Sequence, residues 1–307
     1  MKTLILKIIL LSALCFPIDR AVGWIISEGA RERQVDQRMD MLFRGKLDAT
    51  VVLLGSSRAL NDIDAGLLGA ELGQPTYNLG YSGSSIDFHA AMLRLMEAAK
   101  LEPETLLLVM DERRSFIEAP ERGHYRVDKL MPFIRYEPVL HEISEHSSKN
   151  YYASLASHTY RQNGNLFRAL DYILEGQETR DVTNDVDAYG SAFLEGQSPT
   201  FNREYKAASP EYEQERESSR MIDAFRFLVH TCEEKEITLF IVFPPNHYEP
   251  SLPFRERVME LGGDYPNYLI LSTAITETRY FFDHGHLNKP GVERFTKHLA
   301  QALQHPA

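Results

Sequence analysis

The sequence predicts a three-layer α/β fold, a parallel sheet between two layers of helices. Two patterns predict it. Three short strand-like runs, apolar at 49–54 and 105–110 and mixed at 74–79 (Gln74-Pro75-Thr76-Tyr77-Asn78-Leu79), alternate with helical stretches, and a fourth run, again apolar, follows at 237–243. A β-α-β-α-β order of this kind calls for crossover connections between parallel strands.

The first run, Ala49-Thr50-Val51-Val52-Leu53-Leu54, has the apolar, β-branched character of a buried parallel strand. It ends in Gly55-Ser56-Ser57-Arg58, and Asp62 or Asp64 is placed to cap the next helix. The second run opens into Gly80-Tyr81-Ser82-Gly83-Ser84-Ser85. A helix over 86–99 follows, with Phe88, Met92, Leu93, Leu95 and Met96 on its apolar faces. After the third run the strand succession stops. The stretch from about 111 to 218 is expected to be an insertion or cap, with helical pieces at 165–174 and 211–228 and a polar, loop-like region at 175–210. The fourth run breaks at Pro244-Pro245-Asn246-His247, and a helix is expected at 253–261. A last strand, Tyr280-Phe281-Phe282, is expected to lead into Asp283-His284-Gly285-His286-Leu287-Asn288. The closing helix covers about 292–303, with Pro290 at its start.

The N-terminus has its own signature. Met1-Lys2 and Lys7 flank a short apolar start, an apolar run covers 8–16, and Pro17, Asp19 and Arg20 interrupt it before it resumes at 21–26. A basic start before an apolar run is the pattern of a signal or signal anchor. Residues 1–26 are therefore expected to form a membrane anchor, 27–47 a helical stalk, and 48–307 the main domain. The clean run is shorter than the ~20 residues of a spanning helix, so a first helix packed on the domain is the competing reading. The expected location is the inner membrane, single-pass, with the domain facing the periplasm or exterior.

Composition narrows the partners. Hydrophobic residues make up 43% of the 307 and charged residues 25%, enough for a sizeable core. A net charge of −11 disfavours nucleic acid. The two cysteines, Cys15 and Cys232, form no Cys/His cluster, and neither a metal nor a cofactor is expected.

Active sites of open parallel sheets lie at the C-terminal ends of strands. Four such loops carry the chemistry-bearing residues: 55–58, 80–85, 244–247 and 283–288. In the order and placement of these loops the chain resembles the SGNH/GDSL hydrolase superfamily, over about 51–110 and 237–303. That resemblance implies a flavodoxin-like sheet. It makes Ser57 the nucleophile of a Gly-Ser-Ser turn, Gly83 the oxyanion-hole glycine beside the Ser57 N–H, and Asp283-x-x-His286 the remaining triad members. Serine needs a base to become nucleophilic, His286 would supply it, and Asp283 would orient the ring. The third block departs from the family. Its usual Asn, an oxyanion donor, is missing, and Asp111-Glu112-Arg113-Arg114 stands there.

Arg58, Asn78, Asp111, Glu112, Arg113 and His247 are cleft candidates. Asp111, Glu112 and Arg113 read more readily as an ion-pair network than as catalysts, and His247 and His284 more readily as satisfied loop histidines, although His247 could line the cleft. Taken singly, Ser57, Asp283 and His286 read as helix caps. The turn, the Asp-x-x-His ending and the N-terminal run resemble the superfamily's envelope branch, which includes alginate O-acetylation and teichoic acid D-alanyl-transfer proteins. The expectation is thus a serine esterase or O-acyltransferase acting on an acylated surface polysaccharide or a small acyl ester, with envelope acyl-transfer partners. The alternative is a non-catalytic binding or assembly module of the same fold. A lipase acting on free lipids is weaker, since no apolar lid is evident.

Overall fold

The computed structural model describes residues 2–32, 37–110, 115–117, 125–162, 186–201 and 212–305. The helix expected at 165–174 and the segment 111–114 lie outside them. The described elements, in chain order, begin with α1 (Lys2–Glu32) and α2 (Arg38–Phe43). The α/β pattern follows with β1 (Val51–Gly55), α3 (Ser57–Asp62), α4 (Ala65–Leu72), β2 (Thr76–Asn78), α5 (Ile86–Ala98) and β3 (Thr105–Val109). The middle of the chain holds α6 (Val127–Leu130), α7 (Glu137–His146), α8 (Ser148–Ala156) and α9 (His158–Arg161). The pattern resumes with α10 (Ser219–Glu234), β4 (Thr238–Phe243), α11 (Leu252–Gly262), β5 (Asn267–Ile270) and α12 (Lys289–Gln304).

The chain divides into two compact units: Met1–Asp40 with Arg126–Asp181, and Met41–Tyr125 with Val182–Ala307. The second holds the sheet. Its five strands are all parallel, in the order β2-β1-β3-β4-β5. This is a flavodoxin-like layout, whose switch point lies between the carboxyl ends of β1 and β3. Both sheet faces are buried, as apolar runs without alternation demand. On one face Val51, Leu53, Leu107, Val109 and Val242 pack with Ile63 and Leu68 and with Val292, Phe295 and Leu299 of α12. Alternation turns Val52, Leu54, Leu106, Leu108 and Ile241 to the other face, where α5 and α10 pack.

The expected last strand at Tyr280-Phe281-Phe282 is not there. Residues Thr278–Tyr280 form a 3₁₀ turn, and Phe281 makes only an isolated antiparallel bridge with Leu287. The fifth strand is Asn267–Ile270. At the sheet edge only Leu269 of its four residues is buried, so it lacks the apolar run that marks a central strand. The capping aspartate is Asp64, which accepts the Leu67 N–H at 2.9 Å, whereas Asp62 lies inside α3. Part of the expected insertion belongs to the sheet unit. Buried Ser191 donates to the Ile63 carbonyl at 2.9 Å, and the Ala192 N–H donates to the Leu60 carbonyl at 3.0 Å.

In the first unit, α1 is one continuous helix across Pro17. Asp19, in its middle, caps α9. The carboxylate accepts from the Ser157 hydroxyl at 2.5 Å, the His158 N–H at 2.7 Å and the Thr159 N–H at 3.1 Å. Burial pushes this carboxyl up, but the hydrogen bonds outweigh burial and bring it down to about 2. Within the expected stalk, Met39 and Leu42 of α2 are buried. The spanning anchor gains no support: among the described residues no helix is long and apolar enough to cross a membrane.

Candidate active site

Strand β1 delivers its last residue into a crowded turn. A Cβ on Gly55 would stand 2.8 Å from the Ala59 Cβ and 2.9 Å from the Val109 carbonyl oxygen, so only glycine lets the chain enter α3 so directly after the strand. Ser56 is the N-cap, and its hydroxyl accepts the Arg58 N–H at 3.3 Å. That occupation leaves Ser57, the first helical residue, with a half-exposed side chain at the strand's carboxyl end.

The loop after β2 is fastened to the same turn. The Tyr81 N–H and the Ser84 hydroxyl both reach the Gly55 carbonyl, at 2.9 and 3.2 Å. Below them the Ser84 hydroxyl lies 2.9 Å from His89 Nε2. Burial lowers His89 to about 3, so it is neutral and structural. Gly83 is exposed at the loop's tip with φ +70°. Among the described residues no acceptor takes the Ser57 or the Gly83 N–H.

The third loop brings His286 to Ser57. His286 Nε2 is 2.8 Å from Ser57 Oγ, although 229 residues separate them. On the other side of the ring, Nδ1 lies 3.0 and 3.1 Å from the two Asp283 oxygens. Asp283 Oδ1 also accepts the Gly285 and His286 N–H groups, each at 2.8 Å, which wraps the loop around the carboxylate. Burial raises the Asp283 carboxyl, but its hydrogen bonds and the His286 charge outweigh that and leave it below its ordinary value. An ionised Asp283 must accept from Nδ1–H, so Nε2 is left to accept the Ser57 hydroxyl proton. For His286, burial is the largest influence and pulls the ring down. The bond to Asp283 and the charge of Asp62 overcome it, and the imidazole titrates above its ordinary value.

No family model matches the chain, and no curated protein matches it significantly.

The remaining cleft candidates divide. Asp111, Glu112 and Arg113 lie outside the described residues. Asn78 is fully buried and structural: it donates to the Ala59 carbonyl at 2.7 Å and accepts the Gly80 N–H at 2.9 Å, pinning the glycine loop to α3. Arg58 is also inside, paired with Asp62. Their polarity suggests a cleft, but each is consumed by backbone or ion-pair partners. His247 is buried beside the 283–288 loop, its Nε2 3.1 Å from Thr278 Oγ1 and its N–H donating to the His284 carbonyl at 3.0 Å. It supports that loop from behind. Among the described residues no group of three or more His, Cys, Asp or Glu could hold a metal ion.

The residue that sequence reasoning passes over is Asp62. It reads as a helix cap, yet its spacing of four from Arg58 is the signal of a helical ion pair.

Proposed function

We propose that the protein is a serine esterase or O-acyltransferase of the SGNH type, acting on an acyl ester of a cell-surface glycan or a small molecule. One observation carries the reading: the Ser57–His286–Asp283 relay, assembled from the turn after β1 and the loop before α12, at opposite ends of the sheet unit's sequence. Three separate caps would not need their side chains to meet.

The chemistry follows from the relay. Ser57 Oγ attacks the ester carbonyl carbon while His286 Nε2 takes its proton, and Asp283 stabilises the imidazolium. The Ser57 and Gly83 N–H groups are the oxyanion donors this reading requires. Collapse of the tetrahedral intermediate expels the alcohol, which receives the proton from His286, and leaves an acyl-serine. Water or an acceptor hydroxyl then attacks that ester and gives its proton to Nε2. On the second collapse the proton returns to Ser57. Hydrolysis and transfer differ only in which hydroxyl arrives second.

An activated acetyl ester such as p-nitrophenyl acetate tests the reading. Wild-type protein is expected to release a burst of p-nitrophenolate, and Ser57→Ala none. Equal release from both proteins rejects it and favours a binding or assembly module of the same fold, the reading that the missing third-block Asn supports.

An envelope location belongs to the same proposal. The motive is α1, on which Leu4, Leu11, Leu14 and Phe16 are each more than half exposed. A helix exposing such residues would seat in the membrane surface without spanning it. Detergent is then needed to extract the full chain, and quantitative recovery in a detergent-free cytoplasmic fraction contradicts the placement.

A further inference from the structure

Helix α3 carries more than the nucleophile. Arg58 and Asp62 are 3% and 0% exposed, and Arg58 Nη1 lies 2.7 Å from Asp62 Oδ2, a charge contact without hydrogen-bond alignment. Each residue has a second partner on a different loop. Arg58 Nη2 donates to the Pro245 carbonyl after β4. Asp62 Oδ1 accepts the N–H of Leu287, the residue that follows His286, at 2.8 Å. A buried ion pair is poor ground for stability, because desolvating two charges offsets much of their attraction. Its position suggests another use.

Asp283 cannot by itself bring His286 to Ser57. It lies in the same loop as His286, so it fixes the ring relative to the loop but not the loop relative to α3. The Leu287–Asp62 bond supplies that second constraint. A second route runs through the β4 loop, where Arg58 holds Pro245 and the His247 N–H holds the His284 carbonyl. Ser57 opens α3 and Asp62 closes it, so nucleophile and brace share one rigid helix.

We infer that Arg58 and Asp62 are positioning residues, a buried brace that sets the distance between His286 and Ser57 through the Leu287 N–H. This rests on the hydrolase reading above. Removing Asp62 alone would strand the Arg58 charge, so the test replaces both. Arg58→Met/Asp62→Asn keeps an acceptor for Leu287, and Arg58→Met/Asp62→Leu does not. Neither carries the buried charges, and apolar replacement of such a pair is often tolerated.

The readouts are the rate of labelling by a fluorophosphonate and the Tm. The Leu variant is expected to label about tenfold or more slowly than the Asn variant at a similar Tm, since misplacement by about 1 Å costs up to ~10²-fold. Equal rates at equal Tm would overturn the brace. Amide exchange of the wild-type protein decides the matter if a variant fails to fold. The Leu287 N–H should be protected like the amides of β1, and exchange at the rate of an open loop amide would overturn the inference. Wild-type protein that takes no label rejects the hydrolase reading instead, while the amide exchange still judges the brace.

Discussion

His286→Ala is expected to slow acylation of Ser57 by about 10³-fold or more, while leaving the protein folded. The size follows from what the ring does. Without a base the serine hydroxyl is a weak nucleophile, and general-base assistance contributes about 10²–10⁴-fold, more where the triad acts as a unit. The fold does not depend on the imidazole. The side chain is partly exposed, and the loop around it is held by the backbone bonds of Asp283 and by the Leu287–Asp62 bond. Burst amplitude and rate measured beside a thermal melt separate the two effects. A variant that keeps its melt and a third or more of its rate would show that the 2.8 Å contact is structural.

Asp283→Asn is expected to cost about 10²–10⁴-fold by a different route. Its Oδ1 can still accept the Gly285 and His286 N–H groups, so the loop keeps its shape. The amide nitrogen, however, can donate to Nδ1, and the ring then carries its proton on Nε2, facing Ser57 with a donor where an acceptor is needed. The pH dependence of the wild type is the companion observable. His286 must be neutral to act, and its raised pKa places the acid limb of the rate profile above the ~6.5 of an ordinary histidine. Asp283 and Asp62 push that limb up, and burial and the charge of Arg58 pull it down.

Stability runs the other way. The raised His286 contributes stability that is fully present below about 6.5 and is lost as pH rises through its folded value. The lowered Asp283 contributes stability that is present above about 3.9 and is lost as pH falls through its folded value. A wild-type acid limb well below 6.5 would contradict the account of the site.

The central strands and the relay were legible because each left a local mark. Val51–Gly55 and Thr105–Val109 are buried on both faces and therefore spelled out as apolar runs. Ser57 sits where the first such run ends, and His286 sits just ahead of the closing helix α12. Asn267–Ile270 left no mark, because an edge strand with one buried residue is not distinguishable by composition from a loop. Tyr280-Phe281-Phe282 misled for the opposite reason: Phe281 is fully buried and aromatic, yet it serves the core beneath α12 and not the sheet. At the N-terminus apolarity was visible, but a carboxylate at Asp19 bonded to three donors of α9 was not, since those donors are 138 to 140 residues away. The same limit hid the second partners of Arg58 and Asp62. An i, i+4 pair can be read from a helix, but Pro245 and Leu287 come from distant parts of the chain.

The most direct measurement of the central claim is to label the folded protein with a fluorophosphonate and map the modified residue by tandem mass spectrometry. The site predicts one phosphonylated residue, Ser57, with labelling abolished in Ser57→Ala and retained in Ser56→Ala, whose hydroxyl caps α3. Label on Ser56, Ser82 or any other serine, or a wild-type protein that takes none, would contradict it.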